Sequence, residues 1–187
     1  MSEPRIGDWM HTIRGPWWAL DPRVDELHIE VIARGCATEC RFNGQGGFYS
    51  VGQHAVHCSE IAPDPFKLWA LLHDAPEGLG LKDLPRPVKR HIGDSYHAAE
   101  SGIMLAVCDR WDLPYTRNER GWLVMPEPVH RADETLLVTE ARDLIGDGDI
   151  PRWDHLEGIT PLRRRIRPWT WQKAERRFLA RFHELTA

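Results

Sequence analysis

His54, the adjacent pair His73-Asp74 and the distant Asp133 supply two imidazoles and two carboxylates, the donor types that suit a borderline divalent transition metal. No thiolate belongs to the set, so the pattern disfavours a closed structural zinc site and leaves coordination positions for water and substrate. Each residue alone reads as an ordinary core histidine or a solvated aspartate. The expectation of a metal site rests on the four together.

These residues must be brought together by helices. Phe66, Trp69, Ala70, Leu72 and His73 recur at helical intervals, and Asp64-Pro65 reads as an N-cap and first turn. A helix near 65–75 therefore ends on His73-Asp74. Ser50 is the expected N-cap of a second helix, 50–61, with His54 one turn into it. Asp133 belongs to a third, 127–145, where Val129, Leu136, Leu137 and Leu144 mark the apolar side. A carboxylate beside that face needs a partner, and a metal would serve.

Further helices are expected near 28–40, 94–111 and 170–185, the last with Trp171, Ala174, Phe178, Phe182 and Leu185 as a packing stripe. Residues 1–20 read as an irregular or hairpin arm ending in Pro16-Trp17-Trp18-Ala19-Leu20, and Asn43–Gly47 as a flexible turn with room for a small hairpin. Gly146–Pro151 reads as a loop. The fold class expected is all-α.

The pattern of His54, His73-Asp74 and Asp133 resembles the HD-domain phosphohydrolases. Arg41-Phe42, Phe48–His54, Trp69–Glu77 and Asp83–Lys89 look like the compact bacterial and phage members, the 5′-deoxynucleotidases and the phage dATP triphosphohydrolases. The likeness covers roughly residues 16–145, with a C-terminal helical extension at 165–187, and implies one HD-domain helical bundle over 1–187. Gly52 stands where these proteins usually have alanine, Gln45 where a histidine is common, and the stretch Gly78–Lys82 is one residue longer than usual.

The resemblance implies metal-dependent hydrolysis of phosphate ester or anhydride bonds in nucleotides, releasing phosphate from a deoxynucleoside monophosphate or polyphosphate from a triphosphate such as dATP. His54, His73, Asp74 and Asp133 would hold cobalt, manganese, zinc, nickel or iron, with a second magnesium arriving on the substrate. Glu77, four residues after His73, would orient the water, with Asp74 beside it at the reaction centre. Arg41, Lys89 and Lys82 are the candidate phosphate cations, Asp83 the candidate sugar contact, and Trp17 and Trp18 the candidate base-stacking side chains. A homo-oligomer is expected. Two alternatives stand beside this reading: a di-iron oxygenase of the same fold, for which His57 is the nearest spare ligand, and a non-catalytic nucleotide-binding module.

Composition is compatible with these expectations. The 187 residues, 42% hydrophobic with nine tryptophans, suffice for one sizeable core. A net charge of −4 and a pI near 6.2 give no broad footprint for nucleic acid, and Arg163-Arg164-Arg165-Ile166-Arg167 reads as a solvated basic face. Cys36, Cys40, Cys58 and Cys108 form no Cys-x-x-Cys motif and read as reduced, mostly buried thiols. With no secretion signal and no apolar run near the roughly 20 residues needed to span a bilayer, a cytoplasmic protein is expected.

Overall fold

The computed structural model describes residues 4, 5, 7–146 and 156–187. Most of the expected loop at Gly146–Pro151 lies outside them. Among the described residues there are seven α-helices: α1 (Ile29–Thr38), α2 (Val51–Ile61), α3 (Lys67–Leu72), α4 (Arg86–Ile92), α5 (Asp94–Arg110), α6 (Glu127–Glu140) and α7 (Trp171–Thr186). Two small antiparallel hairpins accompany them, β1 (Met10–Thr12) with β2 (Gly15–Trp17), and β3 (Thr116–Arg117) with β4 (Leu123–Val124). The protein is thus mostly helical. No helix among the described residues is long and apolar enough to cross a membrane.

α2 is the central helix, buried on every side from Val51 to Ser59. Its start follows from Ser50, whose Oγ accepts from the Gln53 amide at 3.1 Å, a side-chain cap for one of the orphan N–H groups of the first turn. α1, α3, α6 and α7 all pack on it. Gly52 makes the approach of α1 close: a Cβ there would sit 3.0 Å from the Ala37 amide nitrogen. Gly52 is therefore set against another helix backbone.

α7 closes the side of the bundle formed by α1, α2 and α3 through Ala174, Phe178 and Phe182. Burying each phenylalanine is worth on the order of 1.5–3 kcal/mol. Gln53 ties in the segment before α7, donating to the Arg167 carbonyl at 2.9 Å and accepting from the Trp169 amide at 2.7 Å. Arg164 and Arg165 of the basic run pair with Glu60 and Asp143. This run is structural cladding on the C-terminal segment.

Two expectations differ from the structure. α3 begins after Phe66, not at an Asp64 cap; the Asp64 carboxylate is solvent-exposed and meets Lys67 at 3.2 Å. The helix expected over 127–145 is regular only to Glu140 and then widens into a single π-turn at Ala141–Ile145. α4 was not anticipated: its seven residues include Pro87 in the first turn and none is buried, so it lacks the apolar stripe that announces a helix.

Candidate metal centre

α2, α3 and α6 bring His54, His73 and Asp133 to one point. The Nε2 atoms of His54 and His73 are 3.4 Å apart, and His54 Nε2 lies 3.2 Å from Asp133 Oδ1. Asp74, just past the end of α3, places Oδ2 3.3 Å from His73 Nε2 and 3.7 Å from His54 Nε2. That Oδ2 is buried and has no hydrogen-bond partner. An orphaned carboxylate oxygen among inward-facing imidazole nitrogens fits a cation, and a buried group of His54, Cys58, His73 and Asp133 has donor atoms within 4.8 Å of one another. The group can hold a metal ion.

Cys58 is one of the cysteines that read from the sequence as reduced, mostly buried thiols. It follows His54 by one helical turn, and its Sγ reaches within 3.4 Å of His54 Nε2. Burial pushes its pKa up to about 11, so the sulfur is a thiol unless a cation draws off its proton.

The outer partners orient both imidazoles. His54 Nδ1 lies 2.6 Å from Glu140 Oε1, and His73 Nδ1 lies 2.8 Å from the Ala70 carbonyl oxygen. Each ring is therefore held at Nδ1 and turns its Nε2 to the common centre. Glu140 is fully buried, accepts from the Tyr49 hydroxyl at 2.9 Å and receives Arg41 Nε at 3.1 Å. Burial alone would raise the Glu140 pKa, but Arg41, His54 and Tyr49 hold it below the ordinary value. Asp133 is likewise depressed: its desolvation is overcome by His54, His73 and Arg41. Sequence reasoning missed Glu140, although it lies two helical turns beyond Asp133.

His73, Asp74 and Asp133 line the floor of a cavity of about 780 Å³, of a size suited to a small-molecule ligand, and His54 lies buried beneath them. Arg41, Asp83, Lys89 and Glu77 all line it. Arg41 is buried, with its NH1 3.5 Å from Asp74 Oδ2. Lys89 donates to Glu77 and Glu100 at 3.2 and 3.3 Å, and those carboxylates outweigh desolvation to keep its ammonium firmly protonated. Glu77 is buried with one unpartnered oxygen, and desolvation together with Asp74 raises its pKa above the usual carboxyl range. Asp83 accepts from the Phe42 amide at 3.3 Å, and its pKa is raised chiefly by desolvation.

Glu77 owes its position to a contact without side chains. It opens the π-turn Glu77–Leu81, which packs on α1 so closely that a Cβ on Gly35 would fall 1.9 Å from the Gly78 carbonyl oxygen. Only glycine at both positions permits this approach.

Three of the sequence candidates are not brought to the cavity. Trp17 is buried in the arm, where its Nε1 donates to the Leu79 carbonyl at 3.1 Å and so buttresses the turn that carries Glu77. Trp18 is covered by Arg5, whose guanidinium carbon lies 4.3 Å from its ring centre, and lines a separate small pocket with Trp17. Lys82 is largely exposed and paired with Glu39 at 2.5 Å. His57, the spare histidine, faces Glu60, Gln53 and Arg164, away from the other imidazoles. The aromatic lining of the cavity comes instead from Phe42, Trp69, His97 and Trp122.

No protein-family model matches the chain. Uncharacterized protein YfdR of Escherichia coli is 38% identical over 165 residues, covering 87% of this chain and 86% of that protein. An uncharacterized protein of Rhodobacter capsulatus is 36% identical over 133 residues, 66% of this chain and 63% of the relative. The chain belongs to the family of the Escherichia coli protein YfdR.

Proposed function

We propose that the protein is a metal-dependent phosphohydrolase of the HD-domain type, cleaving phosphate ester or anhydride bonds of deoxynucleotides. The observation that carries this reading is the meeting of buried His54 with His73, Asp74 and Asp133, the last three lining a cavity that also presents Arg41 and Lys89. Imidazole and carboxylate donors suit cobalt, manganese, zinc, nickel or iron. Such an ion supplies charge neutralisation at a phosphate oxygen and a water of lowered pKa.

The chain's own groups complete the chemistry. Arg41, already oriented through Nε by Glu140, offers its remaining N–H groups to a phosphate, and Lys89 adds a point charge from α4. Glu77 Oε2 is the unpartnered oxygen available to orient a water or take its proton, while Oε1 is held by Lys89. Asp83, lining the same cavity, is placed to meet a sugar hydroxyl. Self-association through the exposed Trp9, Met10 and Ile13 of the arm belongs to the same proposal, and light scattering tests it.

Purified protein loaded with Mn²⁺ or Co²⁺ is offered ribo- and deoxynucleoside mono-, di- and triphosphates, and the products are separated by anion exchange. Nucleoside from monophosphates identifies a 5′-nucleotidase. Nucleoside with tripolyphosphate, or stepwise phosphate loss from dATP, identifies a triphosphohydrolase. Failure to turn over any of them, with metal bound, overturns the proposal.

A further inference from the structure

Trp122 lines the cavity from the β3–β4 hairpin, on an element with no part in the metal centre. An indole on a two-stranded hairpin would ordinarily turn into the core or out to water. Here it is half-buried, and its surroundings fix it in place. Asn118 Oδ1 accepts from the backbone amides of Arg120 and Trp122 at 2.9 and 3.1 Å, and the Asn118 amide donates to the Trp122 carbonyl at 2.9 Å. The next residue, Leu123, donates its amide to Ser101 Oγ on α5 at 2.8 Å. Arg120 NH1 donates to Asp94 Oδ1 on α5 at 2.6 Å, so the hairpin is bonded within itself and pinned to α5 on either side of the indole.

The His97 ring stands 5.7 Å from the Trp122 ring at an interplanar angle of 33°, and it too lines the cavity. Arg120 adds its guanidinium 5.0 Å from the indole centre. Leu123, Met104 and Met125 line the same cavity and supply apolar surface. The cavity thus joins a charged floor, where Arg41, Asp74 and Lys89 stand, to an aromatic and thioether lining that contributes nothing to holding a phosphate.

We infer that Trp122, backed by His97, is the stacking platform for a planar heteroaromatic group of the substrate, and so a determinant of which substrates enter. The inference deepens the nucleotide reading above and rests on it for the identity of that group as a nucleobase. An aromatic ring stacks on any base through its π-face, so Trp122 selects for the presence of a base more than for its hydrogen-bonding edge.

The test uses Mn²⁺-loaded protein and two probes that are not hydrolysed. 2-Aminopurine 2′-deoxyriboside loses fluorescence when its base stacks on an indole, and inorganic phosphate is followed by calorimetry. Wild-type protein is expected to quench the nucleoside saturably. Trp122→Ala should weaken that binding about 10-fold or more, Trp122→Phe should stay within a few-fold of wild type, and phosphate affinity should be unchanged in both. Unchanged nucleoside binding in Trp122→Ala, no binding by wild type, or equal loss of both probes would overturn the platform. Failure of the phosphohydrolase reading looks different: phosphate does not bind and no nucleotide is turned over, whether or not the nucleoside is quenched.

Discussion

His54 Nδ1 sits 2.6 Å from Glu140 Oε1, and both side chains are inaccessible to solvent. The carboxylate fixes the tautomer that leaves Nε2 free for a metal, and it accepts Arg41 on its other oxygen. Glu140→Gln keeps the shape but replaces a charged acceptor by an amide. Metal affinity, measured by competition with a chromophoric chelator, should fall by about 10- to 100-fold while the fold persists. Unchanged affinity would remove Glu140 from the metal centre.

Glu77→Gln retains volume but removes the proposed base. Turnover of the best substrate should drop by about 10² to 10⁴ in kcat, with KM and metal content near wild type. A variant that loses KM and kcat together, or loses its metal, would assign Glu77 a binding role instead.

Gly35→Ala forces a methyl group toward the Gly78 carbonyl, at 1.9 Å in the native geometry. Neither partner is a flexible side chain, so the backbones must separate. The loss should reach the upper end of the overpacking range, about 3 kcal/mol, read as a lowered urea midpoint. A midpoint within about 0.5 kcal/mol of wild type would mean that the two segments part at little cost.

Asp143 accepts from the Arg142 and Arg165 side chains and from the Ile166 amide, tying the C-terminal segment to the end of α6. Although burial favours the proton, these bonds hold its pKa below the ordinary value, at about 2. The sign follows from linkage: a depressed carboxyl contributes stability that is present above its unfolded value and lost as pH falls through the folded one. Between roughly pH 5 and 2 the wild type should lose more stability than Asp143→Asn, as urea midpoints across that window would show. Parallel loss in both would separate Asp143 from acid sensitivity.

The elements carrying the ligands were legible because each has a periodic apolar face. Ser50 caps α2 as its position suggests, and His54, His73, Asp74 and Asp133 meet because their helices share one core. Glu140 and Cys58 were equally available, at helical spacing from Asp133 and His54, but a buried glutamate and a lone cysteine carry no signal without knowledge of what they face. The displacement of Trp17 and Trp18 was not legible at all. Whether an indole fills a core or a cavity depends on the path of the arm, and the short β3–β4 hairpin that delivers Trp122 has only two residues in each strand. α4 was hidden for a related reason, since a helix that buries nothing leaves no pattern.

The cavity is lined by five carboxyl groups, Asp74, Glu77, Asp83, Glu100 and Asp133, and by four basic side chains, Arg41, Arg86, Lys89 and Arg90. Acids and bases there nearly offset one another, so the lining by itself offers a polyanion little net attraction. A divalent ion seated as proposed would tip this balance toward positive, and the basic side chains would act with it. On the proposed function, metal occupancy then sets how strongly the cavity draws a phosphate-bearing molecule.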